Sequence, residues 1–104
     1  FIDEELKGCK TEAQIKKAIT KAFDRAEKEW IEVAKVGFFN GYPKTAYVGS
    51  CALVAVVIDN KAYIANSGDC KAVLVRKDGE NNFKATNVSK TFSANKVYEQ
   101  KRLN

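Results

Sequence analysis

The sequence contains no histidine and no methionine, a single proline and only three cysteines. The missing histidine excludes the most chemistry. It removes the commonest general base and the commonest zinc ligand together. A Ser–His–Asp triad, a Cys–His nucleophile pair and a Cys/His zinc site are therefore ruled out within these 104 residues. Catalysis would have to use carboxylates, or groups supplied from outside the chain. Cys9, Cys51 and Cys70 show no CxxC spacing. An odd number of cysteines with no framework fits a reducing compartment, or buried thiols serving as small apolar residues. The expected location is intracellular and cytoplasmic, with the nucleus and the mitochondrion left open.

Long apolar runs are also lacking. The longest, Cys51 to Ile58, is strand-sized, against the roughly 20 residues of a membrane span, so no membrane partner is expected. No secretory leader is visible. The net charge is +5, and its excess is confined to one part of the chain. Residues 1–60 carry nine basic and nine acidic groups, whereas residues 61–104 carry nine basic and four acidic. The later lysines stand singly among apolar residues, with no basic run and no aromatic interleaving. That pattern describes a solvated face rather than a nucleic-acid surface. The chain opens on Phe1 and closes on Asn104 within an amphipathic segment, so both ends read as cuts through a longer protein.

Against these absences stands one strong periodic signal. Ile15, Ala18, Ile19, Ala22, Phe23, Ala26, Trp30, Val33 and Ala34 recur at steps of three and four, which predicts an amphipathic helix over 11–36. Thr11 and Gln14 form a T-x-x-Q capping box at its start, and Gly37 is placed to end it as the C′ residue. Residues 38–49, with Gly41, Pro43 and Gly49, read as a loop or an irregular approach to a strand. Phe38, Phe39, Tyr42 and Tyr47 within them read as a satellite core.

Strands are expected at about 46–58, 62–67, 70–76 and 83–88, separated by Asp59-Asn60, Ser67-Gly68-Asp69 and Asp78-Gly79 turns. The run C-A-L-V-A-V-V-I at 51–58 has the composition of a strand buried on both faces. A further helix begins at about 95–103. The fold class is α+β: an antiparallel β-meander packed by one long amphipathic helix. Covering the other sheet face requires material beyond these residues.

The stretch from Gly49 to Leu74 resembles the metal-dependent type 2C serine/threonine protein phosphatase family. Members show Gly-Ser-Thr-Ala, an apolar strand, a turn, and then Tyr-x-Ala-Asn-x-Gly-Asp-Ser-Arg-Ala. Gly49, Ser50 and Ala52 fit the first motif, and Tyr63, Ala65, Asn66, Gly68, Asp69 and Ala72 fit the second. Cys51 replaces the usual threonine, and Cys70 and Lys71 replace serine and arginine. The preceding helix is similar to the family's. Val88, Ser89, Glu99, Arg102 and Leu103 fit the segment that follows the hairpins, but Thr91-Phe92 stands where Asp-His is usual.

The resemblance implies that residues 1–104 are part of an αββα sandwich. It also implies hydrolysis of phosphoserine and phosphothreonine in phosphoprotein substrates, with two Mg²⁺ or Mn²⁺ ions activating a water. Most metal ligands, the phosphate-binding arginine and the general acid would lie outside this segment, which holds no catalytic residue and would need the rest of the phosphatase domain. Asp69 alone matches a carboxylate that contributes to an additional, weaker metal site in some members. The alternative for Asp69 is a turn cap bonded to its own backbone. Asp59, Asp78 and Glu80 read as turn and loop residues. Cys70 makes a poor nucleophile beside Asp69 and without a histidine. Two other functions stay open: a pseudophosphatase scaffold or binding module on the same fold, and an unrelated small α+β domain that binds nucleic acid.

Overall fold

A computed structural model describes all residues, 1–104. The chain divides into two units, Phe1–Gly49 and Ser50–Asn104. The first holds a short helix α1 (Ile2–Leu6), the long helix α2 (Glu12–Phe39) and a 3-10 turn at Pro43–Tyr47. The second holds strands β1 (Ala52–Ile58), β2 (Lys61–Ser67), β3 (Val73–Lys77) and β4 (Phe83–Asn87), then helix α3 (Val97–Leu103). No helix is long and apolar enough to cross a membrane.

Helix α2 starts where the capping box places it. Thr11 is extended, its hydroxyl accepts from the Gln14 amide at 3.2 Å, and the Gln14 side chain accepts from the Thr11 amide at 3.2 Å. Two otherwise orphaned donors are satisfied reciprocally. The helix end differs from expectation. It runs through Gly37 to Phe39, and Asn40 closes it by donating from Nδ2 to the Val36 carbonyl at 2.7 Å. Gly41, at φ +90°, takes the left-handed position expected of Gly37. Gly37 serves another purpose: a Cβ there would lie 2.8 Å from Thr45 Oγ1, so the missing side chain lets the 3-10 turn approach the helix.

That 3-10 turn also corrects the expected start of the first strand at about residue 46. Pro43 fixes the opening dihedral, and the Thr45 hydroxyl bonds the Tyr42 carbonyl at 2.8 Å. These residues fold locally, and β1 begins only at Ala52.

The apolar stripe of α2 is buried only in its first half, at Ile15, Ala18, Ile19 and Ala22. Helix α1, which the sequence pattern did not reveal, packs against α2. Glu5 bridges Lys21 and Arg25, Glu4 also meets Arg25, and the Arg25 guanidinium lies over the Phe1 ring. The second half of the stripe is open. Trp30, Ile31, Ala34, Phe38 and Val48 line a groove of about 460 Å³. Phe39 and Tyr47, expected in a satellite core, are 83% and 85% exposed.

The α+β class stands, with the strands paired as two antiparallel hairpins rather than one continuous four-stranded meander. β1 and β2 run from Ala52↔Ser67 to Ile58↔Lys61 around Asp59-Asn60. Both turn residues have positive φ, 49° and 62°, as a type I′ hairpin turn requires. β3 and β4 pair from Val73↔Asn87 to Lys77↔Phe83. β2 and β3 do not pair. β1 is not buried on both faces within this chain. Val54, Val56 and Ile58 are half-buried, while Val57 is 72% exposed.

In α3, Glu99 is the one buried charged residue, and Arg102 grips it with two bonds of 2.9 and 2.7 Å. Arg102, helped by Lys90, holds the Glu99 carboxyl below the usual carboxylate range. A carboxyl whose folded pKa is depressed adds stability above its unfolded pKa of about 4.3, and that stability is lost as pH falls through the folded value.

Two predictions follow the local physics. Thr11→Ala should lower stability by about 1 kcal/mol, read from urea unfolding. In thermal melts, the gap between the protein and its Arg102→Ala variant should be full at neutral pH and close as pH falls below the usual glutamate range.

Candidate functional site

Three segments of the second unit converge on the turn after β2: Cys51 before β1, residues 66–70, and residues 88–92 after β4. Their meeting point is the side chain of Asn66. Its Nδ2 donates to the carbonyls of Gly68 at 3.0 Å, Cys70 at 3.1 Å and Lys90 at 2.8 Å. A primary amide carries only two hydrogens, so the three carbonyls share them. The amide cannot be turned over, because its oxygen would then face three carbonyl oxygens.

The remaining ties run alongside. The Phe92 amide donates to the Gly68 carbonyl at 2.9 Å, and the Val88 amide to the Ala72 carbonyl at 3.0 Å. The Ala72 amide donates to the Ser89 hydroxyl at 2.8 Å. The carbonyls of Gly68 and Cys70 are thereby used within the turn.

Asp69 lies at the exposed apex of this turn. Its Oδ1 accepts from the Cys51 thiol at 3.3 Å. Gly68 makes that approach possible. Its φ is +108°, and a Cβ there would come within 2.4 Å of Cys51 Sγ and 2.8 Å of Cys51 Cβ. Glycine is needed at this position for both the dihedral and the space.

The other sequence candidates lie apart from Asp69 or take structural roles. Asp59 forms the β1–β2 turn. Asp78 opens the β3–β4 loop, its amide bonding the Asn82 carbonyl at 2.7 Å, and Glu80 is exposed in that loop. Cys9, Cys51 and Cys70 are free thiols.

Thr91 and Phe92 turn out to lie against the Gly68–Asp69 turn. The Thr91 carbonyl accepts from the Tyr98 hydroxyl. The Phe92 ring meets the Tyr98 ring edge-on at 6.3 Å, and the Lys90 ammonium sits 4.3 Å from the Tyr98 ring centre. Of the departures from the family pattern, Cys51 thus meets the Asp69 carboxylate directly, whereas Thr91-Phe92 reaches the turn through the Gly68 carbonyl.

The sequence pattern gives Asn66 no role beyond its place in a motif. The available signal was an asparagine ending an apolar strand two residues before a glycine. Asparagine commonly bonds the backbone two residues ahead.

No group of three or more His, Cys, Asp or Glu side chains comes together in this chain. A magnesium-type centre takes on the order of six oxygen donors. These residues therefore do not make such a centre by themselves, but an exposed carboxylate such as Asp69 fits as one hard-oxygen ligand. Gly68→Ala should cost about 2 kcal/mol or more from the dihedral and the clash. In urea unfolding, pairing it with Cys51→Ala should recover part of that loss.

The protein-family model described as Protein phosphatase 2C matches residues 2–104. Among curated proteins, the chain is 43% identical over 60 residues to "Probable protein phosphatase 2C 78" of Oryza sativa subsp. japonica, covering 58% of this chain and 15% of that protein. It is 45% identical over 56 residues to "Probable protein phosphatase 2C 64" of Arabidopsis thaliana, covering 54% and 14%. It is 36% identical over 75 residues to "Probable protein phosphatase 2C 34" of Oryza sativa subsp. indica, covering 72% and 18%. The chain thus spans less than a fifth of the length of these relatives. No solved structure matches it. With a match over nearly every residue, and with the family's two motifs folded into one hairpin and its closing turn, the chain belongs to the protein phosphatase 2C family.

Proposed function

We propose that this chain is part of a protein serine/threonine phosphatase that hydrolyses phosphoserine and phosphothreonine in phosphoproteins with Mg²⁺ or Mn²⁺. The observation that carries the reading is the exposed Asp69 carboxylate, presented by a tied turn within a family match over residues 2–104. When bound, two divalent ions would supply an activated water and neutralise phosphoryl charge. Asp69 would give one oxygen ligand to an accessory cation. The remaining ligands would come from other parts of the longer polypeptide, of which residues 1–104 form one portion of the phosphatase domain.

What these residues themselves do is hold. The β1–β2 hairpin fixes the height of the turn, Gly68 lets it bend against Cys51, and Asn66 ties it to the segment after β4. A reducing compartment, the cytoplasm first, suits the three unpaired thiols.

A second reading is favoured by one specific observation. Thr91-Phe92 occupies the position against the turn where the family usually carries Asp-His, and Phe92 is committed there to aromatic packing. A pseudophosphatase scaffold would tolerate that exchange.

Two outcomes are expected. The isolated chain should not turn over a phosphopeptide at millimolar Mn²⁺. In the full-length polypeptide, phosphopeptide hydrolysis should require Mn²⁺ or Mg²⁺, and Asp69→Ala should raise the Mn²⁺ concentration needed for half-maximal rate. A full-length protein without metal-dependent turnover would leave the scaffold reading in its place.

A further inference from the structure

We infer that Asn66 is the positioning residue that sets the Asp69 carboxylate, an inference that rests on the reading of Asp69 as a cation ligand. The carbonyls of the two residues on either side of Asp69 are both fixed to one planar amide, that of Gly68 at 3.0 Å and that of Cys70 at 3.1 Å. The third bond, to the Lys90 carbonyl at 2.8 Å, anchors that amide to a segment 24 residues further along the chain. The Phe92 amide on the Gly68 carbonyl ties the same two segments a second time.

The Asp69 side chain is exposed, and its one hydrogen bond is to the Cys51 thiol. The backbone of the turn therefore sets where that side chain departs, and the Cys51 thiol meets its oxygen. The fit of Asn66 is to its donor end. Its Oδ1 is buried with no hydrogen-bond partner, so the residue holds this place through Nδ2. A ligating carboxylate must be held to within roughly 0.5 Å, and groups that orient ligands are worth about 10–100-fold in metal affinity.

The test uses the full-length polypeptide with Asn66→Ala, Asp69→Ala and the double variant. Bound Mn²⁺ is counted from the loss of the free-ion electron paramagnetic resonance signal, and phosphopeptide turnover is followed against Mn²⁺ concentration. Each single variant is expected to weaken the weakest class of Mn²⁺ binding about tenfold, with the double variant no weaker than Asp69→Ala alone.

If Asp69→Ala shifts the isotherm and Asn66→Ala does not, the role of Asn66 falls while the cation reading of Asp69 stands. Additive shifts in the double variant would show Asn66 acting through general stability, which also overturns the inference. If Asp69→Ala itself shifts nothing, the cation reading falls and this inference with it. Should Asn66→Ala not fold, Asn66→Ser, which keeps one donor, is judged on the same isotherm by the same outcomes.

Discussion

The second unit of this protein turns on one side-chain amide facing three backbone carbonyls. Each such bond contributes about 1 kcal/mol net, while leaving a buried carbonyl unmet costs about 1–3 kcal/mol. The arrangement therefore matters more for what it prevents than for what it adds. Without Asn66, the carbonyls of Cys70 and Lys90 would need other donors, and that of Gly68 would keep only the Phe92 amide. The sharp bend at Gly68 and the exposed placement of Asp69 are held by these bonds. The accepted thiol of Cys51 belongs to the same geometry, since Gly68 must lack a side chain for sulfur to reach the carboxylate.

Local chemistry was legible in the sequence where one residue type has one dominant use. The Thr11–Gln14 capping box, the Asp59-Asn60 turn and the helical period of α2 all appear as read. The family was legible because two motifs stood at the right spacing within one apolar segment. Glycine was the less readable residue. Gly37 looked like a helix stop, but it serves close approach of Thr45, and Gly41 makes the stop. A sequence shows that a position lacks a side chain, not whether the reason is a dihedral or a neighbour.

Burial was the other property that pattern alone could not give. The apolar stripe of α2 continues to Ala34, yet its buried part ends at Ala22. The valine-rich β1 carries the composition of a doubly covered strand, while Val57 is largely open. Composition records the surroundings a segment is suited to, and these extend past the elements present here. For the candidate site, Asp69 could be named from its motif. The partners of its turn could not, because Lys90 and Phe92 reach it only through contacts that span more than twenty positions.

That span has a kinetic meaning. A hairpin with a two-residue loop, such as β1–β2, forms on a scale of about 1–10 μs, and β3–β4 is equally local. The bond from Asn66 to Lys90 encloses the whole of β3 and β4 between its partners. Contacts of long sequence separation form late, and segments held by a few exposed hydrogen bonds open most readily in the native state. By both rules the turn that carries Asp69 is expected to close late and open early. Native-state amide exchange at Phe92 would follow that opening separately from the strands, so an intact pair of hairpins is no measure of an intact carboxylate site.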